Sequence, residues 1–419
     1  MAHGALIGEL EEFLAIGALE DMPVEVMLAG FCERARAGGL PVARVSVAWR
    51  LLDPIYYSQQ TAWRLGHGIS VDRFRHGVGG ANEAYLRSPL RHALDLDLDV
   101  FRRRIGEPAE RDDFGVLEDL AAAGLTDYVL CLVGFGERRD GLVAKAPGAG
   151  LMVSFATDAP PGFADGEVAA LLRLRYMLAL AARTAMLRAA GEQLVSTYLA
   201  RSAGRRVLQG TMVRGDGELI DAVIWYADLR RSTELCEALG AQPYIALLNA
   251  FFAATAGPVA DAGGDVLDFI GDAVLAIFPM NEDGFARGRT ATVAALAALE
   301  DFRDAHAAAL GGPRTLADVA GIAIDIGTVV YGNIGIPERL TFSVIGSAVN
   351  KVARIERMTK ALGEVVLVTN AIASSNPRMF ADRGTHALDG LAAPQRLYAL
   401  RTDLLAEVAS GAPAYVGGP

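Results

Sequence analysis

Two apolar, strand-like runs in the C-terminal half of the chain lead to aspartates, and this pairing restricts the fold more than any other feature. Ile224-Trp225-Tyr226-Ala227 runs into Asp228, where the chain turns through Leu229-Arg230-Arg231-Ser232-Thr233. A hairpin-like run from Gly264 then places Asp272 at a tight Ile270-Gly271-Asp272 turn, 44 residues further on (272 − 228). Adjacent strand ends in one sheet bring such carboxylates together. Two neighbouring carboxylates repel unless a cation joins them, and oxygen ligands at strand ends suit Mg2+ or Mn2+. Taken singly, each aspartate reads as a turn or cap residue, and it is the pair in these surroundings that points to a metal.

The surrounding pattern supplies the sheet. A strand from Leu219 is followed by helical 233–262, the hairpin, helical 284–309, a strand over 319–335 and another over 340–346. Helical 347–362 and strands near 364–368 and 386–400 complete the half. The core order β-α-β-β-α-β predicts a ferredoxin-like split βαβ sandwich, so the chain is placed in the α+β class.

The N-terminal half reads differently. Residues 5–37 predict one helix, with Leu6, Leu10, Phe13 and Leu14 at helical spacing and Gly38-Gly39 ending the run. Val45, Val47 and Trp49 alternate with Arg44, Ser46 and Arg50, the period of a half-buried strand. Further strands are expected at 58–64, 127–135 and 150–156, with a helix at 114–124. This order resembles a GAF-like α/β sensor domain, the alternative being an unclassified α+β dimerisation domain. His67, His76 and His92 have no metal-ligand spacing, and Tyr56, Tyr57, Trp63 and Phe74 read as pocket or core. A long helix opens near Asp165, and Leu171, Leu174, Leu178, Ala181 and Ala185 mark a 3-4-3-4 seam suited to a parallel coiled coil or to packing on its own domain. The expected domains are a sensor over 1–164, a helical linker and polar connector over 165–218, a catalytic domain over 219–402 and a flexible tail over 403–419.

Charge and cysteines bound the function. The net charge of −11 and the lack of a dense Lys/Arg run argue against nucleic-acid wrapping. Cys32, Cys131 and Cys236 are odd in number and form no C-x-x-C pair, which fits a reducing cytoplasm. The start lacks a basic segment followed by an apolar one, so no signal peptide is expected. In the apolar stretch 168–187, Arg173, Arg175 and Arg183 oppose a membrane span.

Five segments then identify a family. WYADLRRSTEL, GGDVLDFIGDAVLAIFP, IDIGTVVYGNIG, FSVIGSAVNKVARIE and LDGLAAPQRLYAL resemble the class III adenylate/guanylate cyclases, in the same order, over roughly 219–400. The resemblance implies cyclisation of a nucleoside triphosphate to a 3′,5′-cyclic monophosphate with release of pyrophosphate. It assigns Asp228, Asp272 and the Leu229 carbonyl to two divalent ions, Mg2+ or Mn2+. Asn350 is matched to the residue that orients the ribose, and Arg354 to the one that meets charge at the α-phosphate. Their spacing of four puts both on one helical face. Arg230, Arg231, Ser232 and Thr233 offer cations and backbone N–H groups at a helix start, a phosphate cradle. In the family the aspartates of one chain face the asparagine and arginine of another, which implies a head-to-tail homodimer with two shared sites. An unidentified signal at the N-terminal domain would set its activity.

Four positions depart from the pattern. Asp268 replaces the adenine-reading lysine, Ser343 its usual Asp or Thr partner, and Asp389 a phosphate-binding cation, while Arg231 stands where glycine is common. A carboxylate accepts from guanine N1–H and the 2-amino group, and a hydroxyl donates to O6, so Asp268 and Ser343 suit GTP. The family at large favours ATP. A catalytically degenerate domain that binds nucleotide or dimerises is the rival reading, and a nucleic-acid polymerase, which can share this core and its two-metal logic, is a distant third.

Overall fold

The computed structural model describes residues 4–77, 85–105, 114–135, 150–199, 201–210, 215–280, 283–312, 314–336 and 339–401. The tail expected over 403–419 lies outside these residues. The chain forms two compact units, Met1–Leu194 and Val195–Pro419.

The first unit is built on a six-stranded sheet. Helices α1 (Gly4–Leu19) and α2 (Val24–Ala37) precede strands β1 (Arg44–Arg50), β2 (Tyr56–Arg64) and β3 (Gly68–Arg75). Then come α3 (Pro89–Asp95), β4 (Val100–Arg104), α4 (Gly115–Ala122), β5 (Asp127–Gly134), β6 (Gly150–Thr157) and α5 (Asp165–Tyr198). The sheet order is β3-β2-β1-β6-β5-β4, with every neighbour antiparallel. Val45, Val47, Val129, Val153 and Phe155 face a core shared with α1, α2 and α5. The other face carries Tyr128, Leu130 and Leu132, covered by Ala93 of α3 and Leu120 of α4.

Two expectations are corrected here. The single helix over 5–37 is two helices, because Asp21 takes a left-handed φ of 54° and Pro23 starts the second. The seam of Leu171, Leu174, Leu178 and Ala181 is buried within its own unit, against the sheet, with Ala185 packed beside it. Those residues pack on their own domain and are not open to a second chain. On the opposite face of α5, Tyr176, Leu180, Leu187 and Leu194 are exposed.

The second unit opens with α6 (Arg201–Leu208), which lies inside the segment expected to be a polar connector. Ala203 joins the core, and the Arg206 guanidinium lies over the rings of Tyr331 and Phe342 and pairs with Glu218. Strand β7 (Gly217–Leu229) leads to α7 (Ser232–Leu239) and α8 (Ala241–Asp261), then β8 (Asp265–Ile270), β9 (Ala273–Pro279) and α9 (Gly284–Ala305). The helix expected over 233–262 is divided at Gly240, whose φ of 75° ends one helix and starts the next. β10 (Ala320–Ile336), β11 (Arg339–Ile345), α10 (Ser347–Leu362), β12 (Val366–Thr369), β13 (Phe380–His386) and β14 (Gln395–Leu400) follow. The strand expected over 386–400 is confined to β14, and residues 387–394 turn back from β13.

The sheet order is β13-β14-β12-β10-β7-β9-β8, with β11 on the far half of the long β10. β10 and β12 are parallel and the other pairs antiparallel. One face, with Val223, Trp225, Ala227, Val274 and Phe278, packs on α8 and α9. The other, with Ile224, Leu275, Ile277 and Ala323, packs on Val352 and Ile355 of α10. Because strand side chains alternate, Tyr226 and Asp228 share the α10 face with Ile224. Among the described residues only α8 is long and apolar enough to cross a membrane by length and composition. Its Leu247, Phe251, Thr255 and Val259 are buried in this core.

Candidate active site

The two aspartates meet at one corner of the sheet. Asp228 is in register with Ala273 on β9 and Gly321 on β10, and Asp272 directly precedes Ala273 in the β8–β9 turn. Gly271, at φ 67°, makes that turn possible, and the Leu229 N–H donates to the Asp272 carbonyl at 3.4 Å. The carboxylates come within hydrogen-bonding reach of each other. Burial first, then the charges of Asp272 and Glu356, push the Asp228 carboxyl up to about 7. Its Oδ1 is buried and has no hydrogen-bond partner. A buried, orphaned carboxylate oxygen beside a second carboxylate is costly as it stands and is relieved by a bound cation. No cluster of three or more His, Cys, Asp or Glu side chains poised for a metal occurs among the described residues. Asp228 and Asp272 are the two carboxylates that the described residues bring together at this corner.

Three neighbours of the pair were not singled out from the sequence. Tyr226, two residues back on the same strand face, is pushed up to about 12 by burial and by the charges of Asp228, Glu356 and Asp272. Tyr244 of α8 is also raised, by burial and then by Asp272, and it hydrogen-bonds Ser232. Glu356 is buried on the inner face of α10 and raised chiefly by burial. A charged residue interrupting the apolar stripe Val352, Ile355, Thr359 was the available clue to it.

The expected phosphate cradle divides. Arg230 is turned into the domain, where its guanidinium pairs with Glu356 Oε1 at 2.8 Å and donates to Thr359. It is a structural cation and not a free one, because its neighbour Glu356 would otherwise be a buried unpaired charge. Arg231 takes φ 57°, the backbone form for which glycine is the usual residue, and its side chain pairs with Glu234 at 2.7 Å. Ser232 and Thr233 open α7, whose first N–H groups lack partners within the helix.

Asn350 and Arg354 lie on the outer side of α10, opposite its buried residues Val352, Ile355, Glu356 and Thr359. The Arg354 guanidinium donates to the Asn350 carbonyl at 3.0 Å. It also passes beside Gly390, where a Cβ would stand 3.2 Å from Nη2. Asp389 is exposed in that same turn. Neither Asn350 nor Arg354 contacts the aspartate pair among the described residues. Asp268 is exposed on β8 next to a bulge, and half-buried Ser343 on β11 is opposite Gly332 of β10. β8 and β11 are neighbours, but no hydrogen bond joins the two side chains.

Residues 218–401 match the family model of the adenylate and guanylate cyclase catalytic domain, and the C-terminal unit carries a domain of that family. The adenylate cyclase of Anabaena cylindrica is 34% identical over 150 residues, 36% of this chain and 29% of that one. The terminal-differentiation-specific adenylate cyclase of Dictyostelium discoideum is 30% identical over 155 residues, 37% of this chain and 7% of that one. The chain thus spans less than a third of the length of either relative. Among solved structures, the guanylyl cyclase Cya2 is 26% identical, covering 44% of this chain and 93% of its own, with a TM-score of 0.38.

Proposed function

We propose that the C-terminal unit is a class III nucleotidyl cyclase that converts a purine nucleoside triphosphate to its 3′,5′-cyclic monophosphate and pyrophosphate. The observation that carries this is the Asp228/Asp272 pair with its orphaned buried oxygen, within a domain of the cyclase family. Asp228, Asp272 and the Leu229 carbonyl would hold two divalent ions, Mg2+ or Mn2+. When bound, these would acidify the 3′-hydroxyl and neutralise the triphosphate. The ribose 3′-oxygen attacks the α-phosphorus, loses its proton and displaces pyrophosphate. Arg354 meets the charge that develops there, and Asn350 holds the ribose.

One chain offers two half-sites facing different ways. Asp228 lies under the inner face of α10, and Asn350 and Arg354 are on its outer side. This supports a head-to-tail homodimer in which each site takes the aspartates of one protomer and the asparagine and arginine of the other. The strand order β10-β7-β9-β8 supports the ferredoxin-like reading of the core. The antiparallel sheet with helices on both faces supports a GAF-like N-terminal unit, and in this reading that unit would regulate the dimer in response to an unidentified signal. The base is read by Asp268 and Ser343, which suit GTP, while the relatives are named as adenylate cyclases.

The test is incubation of purified protein with ATP, GTP, CTP and UTP, with Mg2+ and with Mn2+, using Asp228→Ala as the blank. Cyclic GMP as the main product would assign base reading to Asp268 and Ser343. Cyclic AMP would remove them from that role and leave the cyclase reading intact. No product with any triphosphate would leave a nucleotide-binding or dimerisation domain.

A further inference from the structure

The helix that carries Asn350 and Arg354 is held by more than apolar contact. β10 turns alternate residues Gly321, Ala323, Asp325 and Gly327 toward α10, and a Cβ at either glycine would meet atoms already in place. A Cβ at Gly327 would stand 2.4 Å from Ala348 Cβ, and one at Gly321 would stand 2.3 Å from Glu356 Oε1. The helix therefore lies close on the strand. Between the glycines sits Asp325, a fully buried carboxylate. Thr369 on β12 donates to its Oδ1, and the Lys351 ammonium lies against its Oδ2 as an ion pair held by charge and proximity without hydrogen-bond alignment. Lys351 reaches it from α10 with a quarter of its side chain exposed.

A buried carboxylate is tolerated only when paired, so Lys351 is held in this one place. It directly follows Asn350 and precedes Arg354 by three residues. Fixing its ammonium against the sheet fixes the rotation of α10 about its axis. At 3.6 residues per turn, that rotation decides where Asn350 and Arg354 point. The Arg230–Glu356 pair holds the other end of the same helix. We infer that Lys351 and Asp325 are positioning residues for the proposed reaction, setting the rotation of α10 and thereby the aim of Asn350 and Arg354. This rests on the cyclase reading.

The test uses the full chain with Lys351→Met, measuring kcat, KM and the Mn2+-dependent thermal shift. A misplacement of ~1 Å costs about 100-fold in rate, so a 10- to 100-fold loss in kcat is expected with KM and the Mn2+ shift unchanged. Lys351→Arg should recover most of the loss. Asp325→Asn/Lys351→Met removes the buried charge that could unfold the single variant. It should fold as the parent does and keep the kcat deficit. A Lys351→Met kcat within twofold of the parent would overturn the inference, as would full recovery in the double variant. If the parent yields no cyclic product, the cyclase reading fails, and amide exchange over 347–362 separately tests the part of the inference that the pair holds α10. Faster exchange in Lys351→Met but not in Lys351→Arg supports it, and unchanged exchange overturns it.

Discussion

Asp228 shows how one residue can link the fold to solution conditions. Its carboxyl is raised from 3.8 to about 7, so the metal-free fold takes up a proton that the unfolded chain does not hold in that window. The stability tied to this proton is present below the unfolded value and lost as pH rises toward 7. Metal-free protein should therefore lose on the order of 1 kcal/mol across pH 4 to 7, the shift being discounted for partial exposure. Thermal melts in EDTA check this, and Asp228→Asn should flatten the profile. The cysteines give a second residue-scale test. Burial pushes Cys131 up to about 12 and Cys32 well above its usual value, while Cys236 is exposed. A maleimide at pH 8 should label Cys236 alone in folded protein and all three after denaturation, counted by mass spectrometry. Arg231→Gly should stabilise the second unit by up to ~1 kcal/mol, because glycine takes the left-handed form without a Cβ penalty.

At the scale of elements, buried ion pairs tie α10 to the sheet. Arg230 and Glu356 are both nearly inaccessible, so removing either partner leaves the other charge buried. Arg230→Met and Glu356→Leu should each cost ~3–5 kcal/mol, and the double variant should cost less than either. Urea titration of the four proteins checks this, and additive losses would deny the pairing. The helix breaks at Asp21-Met22-Pro23 and at Gly240 belong to the same scale. Both interrupt apolar runs that continue on either side, so hydrophobic spacing alone did not expose them.

At the scale of the whole molecule, each unit has its own sheet and its own buried core. Calorimetry should resolve two transitions, for which no single unfolding free energy is defined. Mn2+ should raise only the transition of the second unit, by about 2.7 kcal/mol at 100 times its dissociation constant. Asp228→Ala should abolish that shift, and a metal shift in the other transition would place the ions elsewhere.

Much of this was legible in the residues alone. Strand periodicity, the two aspartates at turns, and the four-residue spacing of Asn350 and Arg354 are local properties that a chain displays without folding. The sequence therefore set out the alternation of strands and helices over most of the C-terminal half and singled out the candidate site residues. Tertiary structure decided what depends on burial and on partners distant in the chain. It turned Arg230 inward to Glu356, 126 residues away, because a buried carboxylate needs a cation. It spent the Leu171–Ala181 seam on its own core, because that face of α5 meets a sheet whose strands lie elsewhere in the sequence. Asp325 reads as a polar interruption in a strand until Lys351 and Thr369 are brought to it. Its pairing is a fact of packing, which spacing along the chain does not encode.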